Sequence, residues 1–126
     1  MSRVVHIALK VADLEQATKF YTEVFGFKET KTGRSRDHIS RHLTDGHVDI
    51  ALMLYDDENS EEAQLAGPGP RIHHWGISVE DQDAAAAKIT AYGGTVFPHL
   101  GKGALKFRAP DGTIAEVVKE GRYKTE

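Results

Sequence analysis

The sequence predicts an α+β fold made of two βαβββ modules. Two observations carry this. The first is an internal repeat: His6-x-x-x-x-Val11-x-Asp13 returns as His74-x-x-x-x-Val79-x-Asp81, at a constant offset of 68 residues. Self-similarity on this scale points to two copies of one supersecondary unit. The second is that each half holds one helical pattern among short β-rich runs, which gives a largely antiparallel sheet.

The elements follow in order. Residues 4–11 alternate and are β-rich, which reads as a strand. Asp13 suits a helix N-cap, with Gln16 three residues on as in a capping box. Leu14, Ala17, Phe20, Tyr21, Val24 and Phe25 recur at helical spacing, and Gly26 ends the helix. Strands are expected near 27–31, 38–43 and 48–55. The second half repeats the plan: strand 72–79, helix 81–92, then strands 95–97, 104–108 and 114–119. The chain between the halves, DDENSEEAQLAGPGP, is acidic and then rich in Gly and Pro, as a solvated connection should be.

The 126 residues suit one domain, at roughly 100–200 residues per domain. That domain is expected to span 1–126, with module 1 about 3–56, a linker 57–70 and module 2 about 71–120. The formal net charge of −3 argues against a nucleic-acid partner. The N-terminal apolar stretch is broken by His6 and Lys10, so neither a signal peptide nor a membrane span is expected, and cytoplasmic residence is the default. The chain has no cysteine, which excludes thiolate–zinc sites, iron–sulfur clusters and a cysteine nucleophile. Seven histidines remain as the residues to follow.

Strand alternation sorts them. Val5, Ile7, Leu9 and Val11 form an apolar face for the helix, which leaves His6 on the other face with Val4, Ala8 and Lys10. In the second module, Trp75, Ile77 and Val79 face the helix, and His74 lies opposite. His6 and His74 therefore occupy equivalent positions, and a curved sheet would bring them together on its concave side. Glu116 sits in the apolar run of the last strand, where a carboxylate is costly to bury unless paired or coordinated. Two imidazoles and one carboxylate in a cup form a metal site of the 2-His-1-carboxylate type. The plainer alternative is two satisfied core histidines and an edge salt bridge.

At these residues the chain resembles the vicinal oxygen chelate superfamily, which includes glyoxalase I, methylmalonyl-CoA epimerase, extradiol dioxygenases and bleomycin resistance proteins. The motifs are HIALKVADLE with the following FYTEVFGF, HHWGISVED, and APDGTIAEVV. The resemblance spans about residues 4–120. It implies a curved, cup-shaped mixed sheet with helices on the outside, usually a homodimer, and one divalent metal held by His6, His74 and Glu116. It also implies a small-molecule substrate that chelates the metal through oxygen.

Departures from the family pattern narrow the activity. Glyoxalases and epimerases carry a fourth ligand on the last strand of the first module. Glu116 stands five residues after Asp111. Five after Asp45 is Ile50, and a one-residue slip gives Ala51; neither binds metal, and Asp49 is expected on the other face. Three ligands resemble the extradiol dioxygenases, so a dioxygenase-like reaction with Fe²⁺ is favoured, with Mn²⁺, Ni²⁺ or Zn²⁺ as other compatible ions. Where those enzymes place an acid/base tyrosine, ten residues before the ligand Glu, this chain has Lys106. The alternatives are a glyoxalase-type lyase or isomerase, and a non-catalytic binding protein like those of bleomycin resistance.

The resemblance implies that Lys106 and Arg108 face the cup, where Lys106 is a candidate acid/base or anion-binding group, the plainer alternative being a solvated edge-strand lysine. His38, Ser40 and His42 share parity on the matching strand, and His42 is a candidate proton shuttle near neutral pH. A common offset of 66 matches Ser40 with Lys106 and His42 with Arg108. Ile50, Leu52 and Leu54 suit either a cup wall or plain core. His73 should face away from His74, His47 and His99 should lie at the surface, and residues 119–124 read as a frayed tail or, in a dimer, a segment that closes over a site.

Overall fold

The computed structural model describes residues 1–125. Its elements run in the expected order: β1 (Arg3–Lys10), α1 (Leu14–Phe25), β2 (Lys28–Ser35), β3 (His38–Thr44), β4 (Asp49–Tyr55), α2 (Glu61–Gln64), β5 (Arg71–Val79), α3 (Gln82–Ala91), β6 (Thr95–Val96), β7 (Leu105–Arg108) and β8 (Ile114–Lys119). The strands form one curved mixed sheet in the order β2-β3-β4-β1-β5-β8-β7-β6. Antiparallel β1 and β5 lie at its centre, and each is flanked by a parallel partner, β4 or β8. The two halves are thus related element by element, which explains why the sequence repeat is visible at all.

Local chemistry fixes the helices. Asp13 accepts a hydrogen bond from the Gln16 amide at 2.9 Å, and Asp81 does the same for Ala84 at 3.0 Å. Gly26, in the left-handed region at φ 73°, ends α1. The apolar face of α1 packs through Leu14 against Leu43, Ile50 and Leu52. The face of β5, β7 and β8 beneath α3 contributes Val79, Phe107, Ala115 and Val117. Leu43 and Leu52 are fully buried, which stabilises the fold by roughly 2 kcal/mol each. Ile50, Leu52 and Leu54 belong to this helix-side core and do not line the cup. No helix among the described residues is long and apolar enough to cross a membrane.

The connection between the halves is more than a solvated loop. It contains α2, capped by Ser60, with Glu62 and Ala63 buried. The Lys10 ammonium, itself buried, donates to Glu58 and to the carbonyls of Ala63 and Gly67, all at 2.8–2.9 Å. Ala63 packs on Ala8, Ala51, Met53 and Tyr55 and so closes one end of the concave face.

Candidate metal centre

The concave face encloses a cavity of about 550 Å³, and His6, His74 and Glu116 stand together in its wall. All three are at most 3% exposed. His6 Nε2 lies 3.3 Å from His74 Nε2 and 3.7 Å from Glu116 Oε2, and His74 Nε2 lies 3.0 Å from Glu116 Oε1. Donor atoms of the three residues thus meet within 4.8 Å of one another. Gly76 makes room for this. It pairs with His6 across β1 and β5, and a Cβ there would meet the His6 Cβ at 2.8 Å.

The surrounding hydrogen bonds set the ring tautomers. His73 Nε2 sits 2.6 Å from the Glu62 carbonyl, which only accepts, so this nitrogen carries a proton. His73 Nδ1 then accepts from His74 Nδ1 at 2.7 Å, which leaves the His74 Nε2 lone pair bare. Burial pushes the His74 pKa down to about 3, so the ring is neutral at physiological pH. On the other side, His6 Nδ1 donates to Asp49 Oδ2 at 2.6 Å and turns its Nε2 toward the same point. Two neutral ring nitrogens and a carboxylate oxygen are donor types that a divalent cation takes. The residues therefore fit a divalent cation, with outer hydrogen bonds of the kind that orient metal-bound histidines.

Asp49 is the residue that sequence reasoning missed. It lies on the cup face, opposite to expectation, and accepts from both His6 and His42, the latter at 2.9 Å. Burial opposes its ionisation, but the hydrogen bonds from His42 and His6 outweigh burial and hold its carboxyl below the ordinary range. His73 is a second difference. The β1–β5 register slips between Ala8 and Leu9, so a bulge at His73 breaks the alternation and brings both rings to one side.

His42 pairs with Ala51 as Lys106 pairs with Glu116. His42 is thus the counterpart of Lys106, and Ala51 the counterpart of Glu116. The proposed match of Ser40 with Lys106 was off by one step along the strand face. The buried Lys106 ammonium lies 3.4 Å from Glu116 and 3.8 Å from Glu62. Arg108 is turned to other work and donates to the carbonyls of Gly112 and Leu65. His38 and Ser40 line the cavity. His38 donates to Asp37 at 2.8 Å and lies 3.3 Å from Glu62. Glu62 is already engaged by Tyr55 and Arg36, so this second acidic group is a neutralised ion network. His47 and His99 lie at the surface, and His99 pairs with Glu61.

The expected frayed tail is instead part of the wall. The Tyr123 ring stacks on His6 at 4.5 Å with an interplanar angle of 11°, and its hydroxyl donates to Glu116 Oε2 at 2.6 Å. Burial and the neighbouring carboxylate push the phenol pKa far up, so the hydroxyl keeps its proton.

A paired-module cup with a buried two-histidine, one-carboxylate cluster defines a class of small-molecule and metal-binding proteins. Residues 3–117 match the family model for the Glyoxalase/Bleomycin resistance protein/Dioxygenase superfamily, and the chain belongs to that superfamily. It is 29% identical to a probable lactoylglutathione lyase of Vibrio parahaemolyticus, over 93% of this chain and 90% of the relative. Among solved structures, a hypothetical protein of Bacillus halodurans superposes with a TM-score of 0.80 at 18% identity, covering 99% of each chain. A Streptomyces coelicolor methylmalonyl-CoA epimerase variant in complex with 2-nitronate-propionyl-CoA gives 0.77 at 25% identity, covering 98% of each.

Proposed function

We propose that the protein is a divalent-metal-dependent enzyme that moves a proton on a small, anionic, oxygen-chelating substrate. The observation that carries this is the convergence of His6 Nε2, His74 Nε2 and Glu116 beside the His42–Asp49 pair. A cation held there supplies Lewis-acid polarisation of substrate oxygens. Asp49 takes the Nδ1 proton of His42 in a hydrogen bond, which leaves Nε2 as an acceptor on the cavity side. Lys106 offers an ammonium on the opposite flank, able to donate a proton or neutralise substrate charge. The wall also carries the exposed cations Lys31, Lys102 and Arg122, while Arg34 is held by Asp56, and these cations favour an anion. The lyase and epimerase named among the relatives support a non-redox reaction.

A second reading, a dioxygenase with Fe²⁺, is favoured by one observation: Ala51 stands where a fourth donor would be, which leaves more of the ion open. Mn²⁺, Ni²⁺ and Zn²⁺ suit the same donors. A cytoplasmic homodimer completes the proposal, and the exposed Phe20, Val24 and Phe25 on α1 give a second copy an apolar surface.

The test starts from protein purified without a chelating tag, stripped of metal and reloaded anaerobically with each ion. Solvent-deuterium exchange into a panel of 2-oxo acids, hemithioacetals and acyl thioesters supports proton transfer. Oxygen uptake with catechols and no exchange overturns it in favour of the dioxygenase. Neither activity, with tight uptake of an anionic ligand, favours a non-catalytic binder. Sedimentation velocity reads the oligomeric state.

A further inference from the structure

We propose that Tyr123 is a positioning residue for the metal: its hydroxyl holds one oxygen of Glu116, so that the carboxylate meets the ion through the other oxygen alone, while its ring roofs His6. The inference rests on the metal reading above. Gly121, at φ 79°, turns the chain back after β8, a conformation that L side chains rarely adopt. Arg122 then donates to the Lys102 carbonyl at 3.0 Å. On its other side, the Tyr123 ring stacks on His6 of the first module. The strap therefore touches both modules, and Tyr123 is held between them.

The two Glu116 oxygens have different surroundings. Oε2 accepts the 2.6 Å hydrogen bond from Tyr123, a charge-assisted contact. Oε1 lies 3.0 Å from His74 Nε2 and 3.4 Å from Lys106 Nζ, while Oε2 lies 3.7 Å from His6 Nε2. One-oxygen binding leaves an octahedral ion about three open positions instead of about two, enough for a chelating substrate and one further ligand. The stacked ring covers His6 and hinders escape of the ion on that side.

The experiment reloads the metal-stripped full chain with Co²⁺ and reads two signals: the visible absorption spectrum, and the rate of Co²⁺ release to excess chelator. Tyr123→Phe keeps the ring and loses the hydroxyl; Tyr123→Ala loses both. Tyr123→Phe should weaken the visible bands, as two-oxygen binding raises the coordination number, with release within about threefold of wild type. Tyr123→Ala should show the same spectral change and release Co²⁺ at least about tenfold faster. Identical spectra for wild type and Tyr123→Phe, or equal release from wild type and Tyr123→Ala, overturn the inference while the metal reading stands. A wild-type chain that takes up no Co²⁺ overturns both.

Discussion

Asp49→Asn tests how the centre is organised. The native carboxylate accepts from two imidazoles at once, His6 at 2.6 Å and His42 at 2.9 Å. An asparagine has one acceptor oxygen, and its amide presents N–H groups to the second ring. One histidine must therefore lose its hydrogen bond or change tautomer. If His6 changes, its proton moves to Nε2 and blocks the lone pair aimed at the metal. A lost hydrogen bond to a buried charge is worth about 1.5–3 kcal/mol. Loss of an outer-sphere carboxylate of this kind typically lowers metal affinity about 10–100-fold, or about 1.4–2.7 kcal/mol. The assay is competition for Zn²⁺ or Co²⁺ against a chromophoric chelator, with circular dichroism to verify the fold. Affinity within twofold of wild type in a folded variant refutes the argument that Asp49 sets the His6 tautomer.

Other outcomes follow from the same geometry. Ala51→Glu places a carboxylate at the counterpart of Glu116 and should tighten Co²⁺ binding roughly tenfold; unchanged or weaker binding counts against the module correspondence. Gly76→Ala brings a Cβ to 2.8 Å from the His6 Cβ, and should cost about 1–3 kcal/mol in urea unfolding and weaken metal binding. Native-like stability and affinity there would contradict the close approach of β1 and β5. Burial lowers the pKa of both His73 and His74, the latter to about 3. Each is depressed below its unfolded value, so its contribution is full above about pH 6.5 and is lost as pH falls toward the folded value. For His74 alone the loss in metal-free protein is about 2 kcal/mol at pH 5.0. A urea midpoint that is flat between pH 7.5 and 5.0 would count against neutral buried rings.

The proximity of His6 and His74 was legible because it rests on period-two alternation and a repeat. The 68-residue offset placed His6 with His74, while Glu116 stood out as a carboxylate in an apolar strand and joined them through the family resemblance. Asp49 was lost to a one-residue difference between the modules. Ala51 follows Asp45 by six residues, whereas Glu116 follows Asp111 by five, and one extra residue in the first turn reverses every face assignment after it. His73 was misassigned because a bulge cancels alternation without leaving a sequence mark. A four-residue helix such as α2 is too short to show periodicity, so buried Glu62 read as linker. Tyr123 acts from beyond the last strand, and only the tertiary fold reveals its contact with His6 and Glu116. The Asp13 N-cap, by contrast, was readable directly, since capping depends on local sequence alone.

The most direct measurement is metal stoichiometry by mass spectrometry on stripped and reloaded protein, for wild type, His74→Ala and Glu116→Ala side by side. The account predicts one tightly held divalent ion per wild-type chain and none in either folded variant. Wild-type protein that stays empty, or variants that keep a full equivalent, would contradict it.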